Sequence, residues 1–174
     1  MPEAAGKLIL GLDPGLRSTG YAFLEDASLP RFLEGGVIAT SQSLTMEKRL
    51  WQIYEGLGKV LDAFRPAVMV VEGLFTDYKA PAAAVLMGHA RGASLLAAAA
   101  RGVPVLDYSP ARVKKALTGN GNASKEQVQK MLQNVLALPE LPKPDHLADA
   151  LAVAYCHLGQ ARQRETMAGV ERID

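Results

Sequence analysis

The sequence predicts an α/β fold, with one mixed five-stranded sheet that carries helices on both faces. Three short apolar runs near the start of the chain are joined by short connections, which favours an antiparallel meander. Two later apolar runs each follow a segment with helical periodicity, as crossover units that add parallel strands require. The chain has 174 residues, of which 49% are hydrophobic and 21% are charged, so it suits one domain with a sizeable core.

The first half of the chain contains the meander, one helix and one parallel strand. The three meander strands are predicted at residues 8–12, 19–24 and 32–39. Residues 45–64 have apolar side chains at helical spacing, with Thr45 or Ser43 as N-cap and with Pro66 as the stop signal. The run at residues 67–71 is apolar throughout, which is typical of a parallel strand covered on both faces.

The second half alternates helices with one strand. The apolar run at residues 81–101 contains His89 and Arg91, so it predicts a buried helix and not a membrane span. Gly88 and Gly92 lie one turn apart on this helix, where they would let the sheet or a second subunit approach closely. The remaining predictions are a strand at 103–106, a basic helix at 110–117, a helix that Ser124 caps and that ends near 138, and a last helix from 145 to about 162.

Charge is distributed unevenly along the chain. The formal net charge is only +1, so overall charge does not indicate a nucleic-acid partner. Residues 109–130, however, contain five basic side chains and one acidic side chain, Glu126. The basic residues are Arg112, Lys114, Lys115, Lys125 and Lys130. Such a stretch is often a solvated helix face, but beside a metal site it favours phosphate binding.

The termini and the single cysteine indicate a cytoplasmic protein. No signal peptide is expected, because the apolar run after Lys7 is short and ends in a carboxylate. One cysteine, Cys156, cannot form an internal disulfide and suits a reducing compartment. We expect one domain over residues 1–174, no membrane segment, and disordered tails at residues 1–6 and from about 163 to 174.

Four polar residues at the ends of predicted core elements are the candidate site. Asp13 and Glu72 each end an apolar run, while His146 and Asp149 share one face of the last helix. Individually, Asp13 could belong to a turn, Glu72 to an ion pair and His146 to the surface. Together they indicate a divalent metal, because hard cations bind oxygen ligands and offset clustered negative charge. Two metals about 4 Å apart are the usual apparatus for phosphodiester hydrolysis.

Four motifs in this order resemble those of the bacterial RuvC Holliday-junction resolvases. They are LGLDPGLRSTGY at residues 10–21, VEGLF at 71–75, MGHARG at 87–92 and DHLADALA at 145–152. The resemblance implies an RNase H-like nuclease domain, a homodimer, and Mg²⁺ or Mn²⁺ as cofactor with two ions per site. It also implies metal-dependent, paired nicking of four-way junction DNA in recombination and repair, alongside the RuvA–RuvB branch-migration complex.

The resemblance also implies roles for individual residues. Asp13, Glu72, His146 and Asp149 match the family's catalytic metal site. The implied DNA-binding residues are Phe75 as an aromatic wedge at the junction centre, Lys114 and Lys125 near the scissile phosphate, and Arg17 and Lys79 at other phosphates. Residues 81–101 match the helix that forms much of the family's dimer interface.

The sequence departs from the family pattern at two positions. His146 stands where many members have aspartate, which bears on metal preference because imidazole suits Mn²⁺ better than Mg²⁺. Gly73 stands where glutamine is usual, which makes the loop before Phe75 more flexible. Two alternatives stay open: a catalytically idle junction- or RNA-binding module of the same fold, and a lobe of an actin-like ATPase, whose first turn also reads Asp-x-Gly-x-x-Ser/Thr.

Overall fold

The computed structural model describes residues 6–73 and 81–170, with side chains through residue 163, and contains the predicted five-stranded mixed sheet. Its strands are β1 (Leu8–Asp13), β2 (Ser18–Glu25), β3 (Arg31–Ala39), β4 (Val68–Glu72) and β5 (Val105–Tyr108). The order across the sheet is β3-β2-β1-β4-β5. The β1–β2 and β2–β3 pairs are antiparallel, and the β1–β4 and β4–β5 pairs are parallel. The chain therefore returns to the other side of β1 after the meander.

Helices cover both faces of the sheet, as the apolar strands predict. They are α1 (Met46–Phe64), α2 (Pro81–Ala99), α3 (Pro110–Thr118), α4 (Lys125–Val135) and α5 (Asp145–Val170). Met69 and Val71 of β4 pack with residues of α1 and α2, whereas Val70 packs with residues of α3, α4 and α5. Alternate side chains of this one strand thus enter two separate apolar layers, which explains its uninterrupted apolar sequence.

Local capping fixes where the short helices begin and end. The Ser109 side chain accepts a hydrogen bond from the Arg112 backbone N–H at the start of α3, and Gly119 ends that helix with φ +76°. Ser124 and Gln127 form a reciprocal capping box at the start of α4, which confirms the predicted cap. Thr45 occupies the N-cap position of α1 without a side-chain capping bond.

The predicted start of β5 and the predicted end of α5 are wrong for identifiable reasons. Strand β5 begins at Val105 instead of residue 103, because the Val103 N–H donates to the Ala98 carbonyl and closes α2. Helix α5 runs to Val170 and not to about 162, since polar residues without proline can continue a helix. At the N-terminus, the Gly6 N–H donates to Glu25 Oε1, so the chain contacts the sheet before β1 begins.

Helix α2 is exposed over most of its surface, so the prediction of a buried helix is wrong for the single chain. Its buried residues are Ala90, Ser94, Ala97 and Ala98, which face the protein. Val85 and Leu96 are 59% and 62% exposed. Within the described residues, α2 is also the one helix whose length and composition would allow it to cross a membrane. Composition alone does not distinguish an apolar helix face that is exposed to solvent from one that packs against another protein.

The backbone of α5 lies directly against β1 and β2. A Cβ atom at Gly11 would overlap the Ala150 carbonyl oxygen, and one at Gly20 would overlap the His146 carbonyl oxygen. Glycine at these two positions removes the side chains that normally separate a helix from a sheet. The first turns of α5 are therefore held close to the carboxyl end of β1.

We predict that Gly11→Ala destabilises the protein by about 1–3 kcal/mol, because the methyl group must push α5 away from β1. Gly159→Ala is the matched control on α5, since its position is exposed and a Cβ there meets no atom within 4 Å. That change should stabilise the protein by about 0.5–1 kcal/mol through helix propensity. Urea unfolding measures both. Equal stability of the Gly11→Ala variant and the parent would contradict the close approach of α5.

Candidate active site

The parallel pairing of β1 and β4 brings the two strand-end carboxylates together. Leu12 pairs with Val71, so Asp13 and Glu72 follow at the same carboxyl edge of the sheet. This edge lies at β1, where the chain changes from one side of the sheet to the other, and open α/β sheets commonly bind ligands there. The predicted meeting of Asp13 and Glu72 is confirmed by the strand order.

Helix α5 adds the other two predicted residues to this edge. His146 Nδ1 lies 2.6 Å from Asp13 Oδ2, so histidine and carboxylate share a hydrogen bond across 133 residues of sequence. Asp149, one turn further along α5, lines a cavity of about 270 Å³ together with Glu72. The structure thus brings all four candidates to one site, with His146 on the Asp13 side and Asp149 on the Glu72 side.

Two lysines of the basic stretch lie at the same cavity. Lys114 of α3 and Lys125 of α4 are both among its lining residues. Lys125 Nζ is 3.5 Å from Asp149 Oδ2 and 3.8 Å from Asp145 Oδ2. Lys125 therefore places a positive charge beside the carboxylates.

The other basic residues of the stretch have different neighbours. Lys130 pairs with Glu126 on the exposed side of α4 at 2.6 Å. Arg112 lies over the Tyr108 ring and contacts Gln160. Thus only some of the basic side chains in this stretch lie at the candidate site.

Of the three other predicted DNA contacts, the structure describes one, Arg17. Arg17 is exposed in the connection between β1 and β2, and its carbonyl accepts a hydrogen bond from the Thr40 N–H. This connection follows Asp13 directly, so Arg17 lies at the same edge of the sheet. Phe75 and Lys79 lie outside the described residues, and their roles stay predictions.

Burial and like charge raise the proton affinity of the carboxylates. The pKa of Glu72 is raised to about 7, first by burial and then by the nearby charges of Asp13 and Asp149. The pKa of Asp149 is also raised by burial and by Asp13, against the opposing effect of Lys125. Asp149 in turn raises the pKa of the Lys125 ammonium. The charges of Lys114 and Lys125 oppose the rise in the pKa of Glu72 without cancelling it, so the cluster keeps a net preference for added positive charge, as expected of a cation site.

The donor atoms suit a divalent cation, although their arrangement does not yet enclose one. Carboxylate oxygens and an imidazole nitrogen are appropriate ligands for Mg²⁺ or Mn²⁺. Over residues 6–73 and 81–170, no three acidic, histidine or cysteine side chains already converge on one metal-sized position. A cation would compete with His146 for Asp13 and with Lys125 for Asp149. The four residues therefore fit a metal chemically, and binding requires these two contacts to rearrange.

Arg91 is a contact at this site that the sequence reasoning did not identify. Its Nη1 donates to the backbone carbonyl of Glu72 at 3.2 Å from the opposite side of the sheet. Arg91 belongs to the MGHARG motif of the helix for which the family resemblance implied a dimer interface and no contact with this site. A long side chain that reaches a neighbouring strand leaves no spacing pattern in the sequence.

We predict that Glu72→Gln stabilises the metal-free protein at pH 8 by about 1–3 kcal/mol. A carboxyl whose pKa is raised in the folded state does not destabilise the protein below its unfolded-state pKa, where it is protonated. The stability falls as the pH rises and is lowest once the pH has passed about 7. At pH 8 the folded parent carries a disfavoured charge that glutamine lacks. Thermal unfolding at pH 8 and pH 5 in EDTA measures the difference, which should shrink at pH 5.

Glu126→Gln is the control for this prediction, because Glu126 is exposed and its pKa is lowered by Lys130. It should give no gain at pH 8. If the melting temperature of Glu72→Gln at pH 8 is equal to or lower than that of the parent, the charged Glu72 carboxylate does not destabilise the folded protein.

Comparison with known proteins identifies the family. The family model described as crossover junction endodeoxyribonuclease RuvC matches residues 9–157. A protein of that name from Rhodopirellula baltica is 47% identical over 150 residues, which cover 85% of this chain and 84% of the relative. Another from Moorella thermoacetica is 47% identical over 161 residues, covering 91% of this chain and 96% of the relative.

Solved structures agree with the sequence comparison. T. thermophilus RuvC in complex with Holliday junction substrate superposes with a TM-score of 0.85 and is 40% identical, covering 90% of this chain and 96% of that one. The yeast mitochondrial Holliday junction resolvase Ydc2 has a TM-score of 0.67 at 14% identity, covers 97% of this chain and 86% of that one, and shows a shared fold alone. The predicted RNase H-like fold is confirmed. The chain is a member of the RuvC family of crossover junction endodeoxyribonucleases.

Proposed function

We propose that this protein resolves four-way DNA junctions by paired, symmetric, metal-dependent nicking in recombination and repair. The observation that carries the proposal is the cluster of Asp13, Glu72 and Asp149 at one sheet edge, together with the two lysines that line the same cavity as Glu72 and Asp149. Membership of the RuvC family and the likeness to a RuvC bound to Holliday junction substrate support junction DNA as the substrate.

The site would hold its metal with the four predicted residues. Asp13 with His146 and Asp149 would bind one ion, and Asp13 with Glu72 would bind a second, both Mg²⁺ or Mn²⁺. Bound ions supply an activated water and stabilise charge on the leaving 3′ oxygen of the phosphodiester. The products would be a 5′ phosphate and a 3′ hydroxyl. The raised pKa of Glu72 means that cation binding near neutral pH releases a proton from this carboxyl.

The chain's own residues would attract and orient the phosphate. Lys114 and Lys125 present ammonium groups at the cavity that contains Glu72 and Asp149. Lys125 contacts both Asp145 and Asp149, so if Asp149 held a cation, the ammonium would be available to a phosphate oxygen. His146 would hold a cation together with Asp13, with which its Nδ1 shares a hydrogen bond in this structure.

The remaining DNA contacts extend the proposal beyond the cavity. Arg17 lies exposed at the same sheet edge, where it would contact a phosphate of a neighbouring nucleotide. The family resemblance supports Phe75 as the wedge at the junction centre and Lys79 as a phosphate contact. Together these positive side chains predict that binding weakens steeply with salt.

We propose a homodimer that pairs the faces formed by α1 and α2. These helices line an open apolar groove of about 700 Å³, with Trp51 and Tyr54 on α1 and Gly88, Gly92 and Leu96 on α2. A Cβ at Gly88 or Gly92 would meet no atom within 4 Å, so another backbone can approach there. A two-fold dimer presents two equivalent sites to a symmetric junction, which makes paired cuts a consequence of geometry.

Cellular partners complete the proposal. The family resemblance supports work alongside the RuvA–RuvB branch-migration complex. A DNA substrate and the single buried thiol of Cys156 support the cytoplasm as the compartment.

A synthetic immobile four-way junction tests the nuclease proposal. We expect paired nicks at symmetric positions in Mg²⁺ or Mn²⁺, none in EDTA, and a loss of more than about 100-fold in Glu72→Gln, since a metal ligand matters at least as much as the residues that support it. His146→Asp should lower the ratio of the Mn²⁺ rate to the Mg²⁺ rate. Product gels over a time course measure each rate.

The other outcomes of this assay separate the alternatives. Junction binding without nicking in either metal would favour the idle binding module. Neither binding nor nicking, with ATP binding instead, would favour the actin-like lobe.

We predict that Leu96→Glu converts the dimer to a monomer by placing a charge in the apolar groove. Leu96 is 62% exposed in the single chain, so the substitution should not disturb the core. Leu29→Glu is the matched control, because Leu29 is 78% exposed outside the groove. Sedimentation equilibrium should show a monomer for Leu96→Glu and a dimer for Leu29→Glu. A dimer that persists in Leu96→Glu would place the interface elsewhere.

A further inference from the structure

We propose that Arg91 of α2 is a positioning residue that fixes the Glu72–Gly73 peptide and thereby aims the Glu72 carboxylate. The inference rests on the proposed role of Glu72 as a metal ligand. It assigns a task to the MGHARG motif, which the nuclease chemistry described above does not use. Arg91 never touches the substrate in this proposal, since it acts through the backbone of β4.

The guanidinium of Arg91 connects the ends of two neighbouring strands. Its Nη1 donates to the Glu72 carbonyl of β4 at 3.2 Å, and its Nη2 forms an ion pair with Asp107 of β5. The Arg91 side chain is only 13% exposed, which strengthens its bond to the Glu72 carbonyl, whereas Asp107 is 59% exposed. A rigid planar fork that bonds two acceptors holds them at a fixed separation.

Within the part of the chain that the structure describes, the β1–β4 ladder leaves the carbonyl side of the Glu72–Gly73 peptide unpaired. The β1–β4 pairing ends at Leu12 and Val71, one residue before Glu72. Beyond Asp13 the first strand continues into Pro14, which has no N–H with which to extend that ladder. The Glu72 carbonyl therefore takes its hydrogen bond from Arg91.

The other side of the same peptide is bound to β5. The Gly73 N–H donates to the Tyr108 carbonyl at 2.8 Å. Arg91 and Tyr108 thus hold the two polar groups of one peptide plane, which fixes ψ of Glu72 and φ of Gly73. Glycine has the widest backbone freedom of any residue, so this peptide depends on its external contacts more than another would.

A small rotation at this peptide would move the carboxylate. Glu72 leaves the sheet toward a cavity in which Lys114, Lys125 and Asp149 are already placed. Metal sites tolerate errors of only a fraction of an ångström in the position of a ligand. Releasing Arg91 should therefore weaken cation binding while leaving the lysines in place.

Arg91→Ala and Arg101→Ala form a matched pair for the test. Arg101 follows α2, forms an ion pair with Asp62 at 2.7 Å and is 24% exposed, so its loss also removes a partly buried arginine–aspartate contact. It lies at the other end of α2, beside a cavity lined by Arg65 and Pro104 and not by the catalytic residues. Arg91→Lys and Asp107→Asn keep part of the contact and serve if Arg91→Ala folds poorly.

Three measurements on the full chain separate positioning from general stability. We expect Arg91→Ala to raise the amide hydrogen-exchange rate of Gly73 by about tenfold and to weaken Mn²⁺ binding without DNA by about tenfold. The nicking rate of prebound junction should fall by a similar factor, while junction binding in Ca²⁺ stays at the parental value. Arg91→Lys should show smaller losses, and Arg101→Ala should match the parent in all three.

Parental values for Gly73 exchange and Mn²⁺ affinity in Arg91→Ala would overturn the proposal. Equal losses in Arg91→Ala and Arg101→Ala would also overturn it, because they would reflect overall destabilisation. The exchange and Mn²⁺ measurements need no DNA, so they decide the role of Arg91 even if the parent fails to cut junctions. That separate failure would count against the nuclease proposal alone.

Discussion

The contact between the α5 backbone and the glycines of β1 and β2 is the constraint on which the site depends. Gly11 and Gly20 leave room for the carbonyls of Ala150 and His146, where any side chain would collide. A helix is usually kept away from a sheet by a layer of side chains from both elements. Here that layer is missing at two points, so the start of α5 lies within hydrogen-bonding reach of the strand end. The geometry of the His146–Asp13 pair follows from this packing.

The same packing creates an electrostatic cost that the fold must bear. Bringing α5 close to the strand ends places Asp149 and Glu72 in partly buried surroundings near Asp13, and burial raises the pKa of both Glu72 and Asp149. The core provides the compensating free energy through apolar layers on both faces of the sheet. Lys125 offsets part of the negative charge at Asp149. Function and stability therefore oppose each other at this edge.

Sequence reasoning succeeded where a property is encoded locally. The apolar runs that end at Asp13 and Glu72, and the three-residue spacing of His146 and Asp149, predicted both the sheet and the residues that meet at its edge.

It failed where the deciding contact is tertiary. The apolar composition of α2 could not distinguish a face that meets the sheet from one that meets solvent in the single chain. Arg91 could not be assigned because its acceptors, the Glu72 carbonyl and Asp107, lie on the two strands that flank α2 and come within reach only in the folded sheet.

The hydrogen bond between Asp13 and His146 spans 133 positions, and this has a consequence for how the protein is made. Domains form progressively from the N-terminus during synthesis, yet the last donors of this site are on the last helix. A nascent chain can form the β1–β2–β3 meander and add β4 well before His146 and Asp149 are translated. Until α5 docks on Gly11 and Gly20, such a chain lacks the part of the proposed cation site that His146 and Asp149 provide. We therefore expect a ribosome-bound or prematurely truncated product that lacks α5 to lack the proposed nuclease activity.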